Sequence, residues 1–151
     1  MKRRQSEPRQ WLIVNAPPDP GLWQALRRLP RDSGVLLLLP LRRADRLRLR
    51  QIASLRRLTV VVETPRVAAR IHGLGELTGA LLRRSPLILI SPLYPTPSHP
   101  EWKPLRRMRA AALARLANRR AIALGGMNEL RFRRVQRLGF IGWAGISAFR
   151  T

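Results

Sequence analysis

The chain has 151 residues and a net charge of +22, with 30 basic residues against 8 acidic ones. That length suits one domain with its own core and falls short of the roughly 200 to 250 residues of a full (β/α)8 barrel. Cysteine is absent, which excludes disulfides, thiolate metal sites and a cysteine nucleophile, and fits a reducing compartment.

In chain order, a basic tail over residues 1–10 precedes the apolar stretch Trp11–Val14. That stretch is too short for a signal-peptide core, and no run approaches the ~20 apolar residues of a membrane span, so a cytoplasmic location without membrane contact is expected. A Pro-rich turn then leads to a short helix over Gly21–Leu29 and an apolar run over Val35–Leu39. Arg42–Leu58 reads as a helix with Leu47, Ile52 and Leu55 inward. Thr59–Val62 is β-branched and strand-like. Pro65, fitting a helix's first turn, predicts a helix over Pro65–His72. Between Gly73 and Ser85 the pattern blurs, and that is where a barrel unit is expected to be reduced or missing. Leu87–Ile90 reads as a strand, and Lys103–Asn118 as a helix with Leu105, Met108, Ala112 and Leu116 at helical spacing. Ala121–Leu124 is a strand, Asn128–Leu138 a helix and Phe140–Ile146 a last strand.

The strands are uniformly apolar rather than alternating, the pattern of parallel strands covered on both faces. Strand and helix in this rhythm predict an α/β fold, one domain over residues 11–151. Of the basic residues 28 are Arg, recurring as pairs in nearly every predicted helix. Concentrated on one face they would indicate a basic scaffold or regulator binding nucleic acid or a protein partner. Spread over the outer helices they are solvent-facing charge, the favoured reading.

Three strand tips carry chemistry. Ala121-Ile122-Ala123-Leu124-Gly125-Gly126-Met127-Asn128 runs from a buried strand through two glycines into a helix, with Asn128 as its N-cap. Such a corner lets an anion approach backbone N–H groups at a helix start. Gly142-Trp143-Ala144-Gly145-Ile146-Ser147 ends the last strand, where Ile146 and Ser147 offer amides from the other side. Leu89-Ile90-Ser91-Pro92-Leu93-Tyr94-Pro95-Thr96-Pro97-Ser98-His99-Pro100 is a strand entering a Pro-stiffened loop with hydroxyls and an imidazole. The four tryptophans, Trp11, Trp23, Trp102 and Trp143, read as core or interface anchors. His72 and His99 have no metal-type spacing.

In order and spacing these three motifs resemble the thiamine-phosphate synthase/TenI family, specifically over Leu87–Ala148 and only architecturally upstream. That family has a G-P-x-F/Y-P-T-x-T-K loop, then a strand ending A-I-G-G-I, then one ending G-V-A-V-I-S. The resemblance implies a TIM (β/α)8-type barrel, shortened by one or more βα units. It implies phosphate binding by Thr96, Ser98, Gly125, Gly126, Ile146 and Ser147, with His99 and Glu63 as further ligand contacts. The ligand implied is a thiazole phosphate or thiamine phosphate. The implied activity, if retained, is that of a thiamine phosphate diphosphorylase, a transferase that uses Mg2+; homo-oligomers stay open.

The sequence departs from that pattern in four places. His99 replaces the loop Lys. Val35–Pro40 lacks the Q-x-R-x-K run of the second strand. The third strand ends Glu63-Thr64 instead of Asn-Asp. The V-H-L-G-Q motif is blurred into Ile71–Glu76. Without Lys or metal ligands, displacement of pyrophosphate would lose most of its electrostatic stabilisation, so phosphate binding is expected to outlast synthase turnover.

Overall fold

The computed structural model describes residues 7–150; of the expected basic tail, residues 1–6 lie outside the described range. Among the described residues seven strands and five α-helices follow in chain order. They are β1 (Gln10–Val14), α1 (Pro20–Arg28), β2 (Gly34–Leu37), α2 (Arg43–Arg56), β3 (Thr59–Val62), β4 (Ala68–Ile71), α3 (Leu74–Leu82), β5 (Leu87–Ile90), α4 (Arg107–Leu116), β6 (Ala121–Ala123), α5 (Glu129–Val135) and β7 (Gly142–Gly145). All pair in parallel in one sheet, in the order β3-β2-β1-β7-β6-β5-β4. The order is cyclic except at one place: β3 and β4, consecutive in sequence, form the two open edges. The fold is thus a curled, shortened TIM-like barrel with a seam between β3 and β4.

Side-chain alternation along the strands builds two layers of core. Trp11, Ile13, Leu36, Ala68, Leu87, Leu89, Ile122 and Ala144 fill the concave interior. The intervening residues face the helices: those of β1 and β2 pack on α1 and α2, and those of β4 to β7 on α3, α4 and α5. At the barrel floor Trp11 donates its indole N–H to the Pro8 carbonyl (3.1 Å), and Gly34 lies flat beneath the ring, where any Cβ would strike it. Helix α1 starts on Asp19, whose carboxylate accepts the Leu22 N–H (2.7 Å) and meets Arg150 (3.1 Å). The Leu22 N–H, with Arg150 adding, holds the Asp19 carboxyl below the usual carboxylate range.

Three expectations need correction. Residues 65–72 are not helical: they form a turn closed by the Val67 and Ala68 N–H groups on the Thr64 carbonyl, followed by β4. Nor does the missing unit lie in 73–85, which holds α3. It lies before β4, where Glu63–Val67 stands in place of a helical crossover. Finally, α2 and α4 present other faces than expected. Helix α2 buries Leu49, Ile52 and Ala53 and leaves Leu55 75% exposed; α4 buries Ala110, Ala111, Leu113 and Ala114 and leaves Met108 79% exposed. No helix among the described residues is long and apolar enough to cross a membrane.

Candidate functional site

Parallel strands end together, so their C-terminal tips ring one mouth of the barrel. A cavity of about 740 Å³ opens there, and residues from all seven tips border it: Asn15, Leu38, Glu63, His72, Ser91, Gly125 and Ile146 among them. Of the residues singled out in the sequence, Thr96, Ser98, His99, Glu63, Gly125 and Ile146 border this cavity. Gly126 and Ser147 do not.

The double glycine has a packing reason. Gly125 and Gly126 both adopt positive φ, +96° and +59°. A Cβ on Gly125 would come within 2.7 Å of Pro92 Cα, and one on Gly126 would run into the Pro95 carbonyl oxygen. The Pro-rich loop is therefore laid directly on this turn. Its Leu93 N–H donates to the Leu124 carbonyl (3.0 Å) and its Tyr94 N–H to the Gly125 carbonyl (3.1 Å). Arg131 donates to the Gly126 carbonyl and lies over the Tyr94 ring. Asn128 caps α5 as expected, accepting the Arg131 N–H (2.8 Å). The turn thus serves to fix the loop that carries Thr96, Ser98 and His99 at the mouth.

That loop brings aromatic groups with it. Trp102, expected to be an anchor, is 41% exposed and borders the cavity. His99 stacks on it at 3.8 Å between ring centroids, and the His99 Nδ1 lies 3.4 Å from the Glu101 carboxylate. His72 meets the Trp102 ring edge-on at 5.2 Å. Its Nδ1 lies 2.9 Å from the Ser91 carbonyl oxygen and 3.2 Å from the Ser91 hydroxyl, which fixes the ring at the mouth. His72 follows β4 directly, a polar residue at a strand tip. Reading the stretch as helix concealed that signal.

Across the seam, Glu63 accepts a hydrogen bond from Arg70 Nε (2.8 Å). Glu63 is thereby occupied by a cation, and Thr64 stands where the resemblance would put a metal-binding carboxylate. Among the described residues no group of three His, Cys, Asp or Glu is arranged to hold a metal ion. The donor set does not fit Mg2+, which such sites hold by carboxylates together with phosphate oxygens and water. Exposed Arg residues occur on α1, α2, α4 and α5 and just after α3.

No family model and no curated protein matches the sequence. Among solved structures, a thiamine phosphate pyrophosphorylase from Pyrococcus furiosus superposes with a TM-score of 0.72 over 95% of this chain and 88% of that one, at 14% identity. At that identity the likeness establishes a fold: this chain has the architecture of a thiamine phosphate synthase barrel, shortened at one seam.

Proposed function

We propose that the chain binds a phosphorylated small molecule, a thiazole phosphate or thiamine phosphate, at the C-terminal mouth of the barrel, without efficient synthase turnover. The observation that carries this reading is that all seven strand tips border one cavity, Thr96, Ser98, His99, Gly125 and Ile146 among their residues. Its volume, about 740 Å³, lies within the usual ~300–1,000 Å³ range of small-molecule sites. In this reading the Thr96 and Ser98 hydroxyls donate to phosphate oxygens, the His99 imidazole adds a ring N–H, and the ligand's heterocycle lies beside Trp102. Having no metal-type donor set among the described residues, the site offers the phosphate hydrogen bonds, the His99 imidazole and the Arg83 guanidinium, while the second guanidinium on its lining, Arg70, is held by Glu63. That suffices for holding a monoester and leaves a departing pyrophosphate poorly stabilised.

The alternative, a basic scaffold for nucleic acid, draws on charge alone, and the spread of Arg over the outer helices is what solvent-facing charge produces. Calorimetric titration with thiazole phosphate and with thiamine phosphate in moderate salt distinguishes the readings. Saturable binding, weakened at least tenfold by Thr96→Asp and by Ser98→Asp, is expected. A flat titration removes the ligand, and unchanged binding in both variants removes the site. Thiamine phosphate formation in a Mg2+-supplemented assay with both substrates would overturn the non-synthase part.

A further inference from the structure

The seam leaves β3 with an unpaired edge. Thr59 and Glu63 donate their N–H groups to Ser33 and Leu37 of the β2 side (3.0 and 2.9 Å). In a parallel ladder the residues bonding a given neighbour alternate, so Val60 and Val62 turn their N–H and C=O groups to the open side. Among the described residues no backbone hydrogen bond reaches Val60 or Val62 from the return segment, whose Val67 and Ala68 N–H groups close on the Thr64 carbonyl. The Val60 and Val62 side chains are 38% and 55% exposed, on the face opposite Val61, which packs inward.

Helix α2 adds charge beside this edge. Arg48 lies over the Trp23 ring of α1, so that flank of α2 faces α1. Arg43, Arg46 and Arg50 are exposed, and their spacing of three and four residues puts them in a row on the other flank of α2, which in the strand order is the β3 side. None of the three has an acidic partner among the described ion pairs.

We propose that the β3 edge and the α2 Arg row together dock an acidic, extended peptide, which adds to the sheet as a strand. An unpaired strand edge recognises backbone, and side chains of the added strand alternate between the two faces. Those on the outer face lie beside the Arg row and are acidic. Those on the inner face extend the layer of Val61 and are apolar. A second copy of this chain is a poor occupant, because each copy carries a net charge of +22. A polynucleotide would satisfy the Arg row and leave the edge amides and valines unused.

The test is fluorescence anisotropy with a labelled peptide of alternating Val and Glu. Saturable binding to the wild-type chain is expected. It should weaken at least tenfold in Arg46→Glu/Arg50→Glu and in Val62→Pro, which removes an outward N–H and no hydrogen bond to β2, with circular dichroism verifying the fold. A peptide N-methylated on alternate amides needs no variant and should fail to bind the wild-type protein. Equal binding of the N-methylated peptide would overturn the proposal. So would displacement of the peptide by an oligonucleotide whose own binding ignores Val62→Pro, or self-association through this edge.

Discussion

The packing of the Pro-rich loop on the double-glycine turn can be tested by Gly126→Ala. Ala must hold the left-handed conformation at φ +59°, which costs about 1–2 kcal/mol. Its Cβ would also meet the Pro95 carbonyl oxygen, with Tyr94 Cβ at 3.0 Å and Arg131 Nη1 at 3.2 Å. Arg131 can swing away; the carbonyl belongs to a loop held by two backbone hydrogen bonds. Overpacking of this kind costs a further ~1–3 kcal/mol, for a total of about 3 kcal/mol. At roughly 2–4 °C per kcal/mol for a domain of this size, Tm should fall by about 6–12 °C. Phosphate-ligand affinity should drop with it, because Thr96 and Ser98 ride on the same loop. Gly75→Ala is the internal control: it lies in α3 with no atom within 4 Å of the added methyl, and should stabilise by about 0.5–1 kcal/mol. Thermal unfolding by circular dichroism, paired with ligand titration, reads both. A Gly126→Ala protein that melts within a degree or two of wild type would refute the close loop–turn packing.

Phe132 is fully buried beneath the helices with the Arg9 guanidinium 4.9 Å from its ring, so Phe132→Ala should cost ~3–5 kcal/mol in urea unfolding. Glu63→Gln breaks a partly exposed ion pair and should cost under ~1 kcal/mol, while limited proteolysis within 63–67 accelerates. Asp19 has a lowered carboxyl pKa in the folded chain, so its contribution is complete above the unfolded carboxylate value and is lost as pH falls through the folded one. Asp19→Asn keeps the helix cap, and its Tm deficit against wild type should shrink as the solution is acidified through that range.

The strands were the most legible part of the sequence, because burial on both faces makes each a short, continuous apolar run. The exception was β4: Ala68-Ala69-Arg70-Ile71 is neither β-branched nor uniformly apolar, and Pro65 ahead of it imitates a helix start. Arg70 sits there because the seam gives it solvent and Glu63, an environment no local pattern announces. Helix faces were misjudged for a similar reason. Leu and Met dominate an amphipathic count, whereas α4 packs closely on the sheet through Ala110, Ala111 and Ala114 and turns Met108 outward. Glycines at 75 and 79 weakened the signal of α3. At the mouth, the loop hydroxyls and Gly125 were foreseeable from strand-tip chemistry. The part played by Gly126 was not, since a turn that admits an anion and a turn that admits a neighbouring loop need the same residue.

One consequence of the strand order concerns assembly. The first and last strands are neighbours at the centre of the sheet, where Gln10 is in register with Trp143. Until β7 arrives, β1–β3 and β4–β6 are two separate three-stranded ribbons tethered only by Glu63–Val67. Synthesis therefore cannot yield a continuous sheet before β7 has emerged, and losing β7 would split the sheet down its middle rather than fray its border.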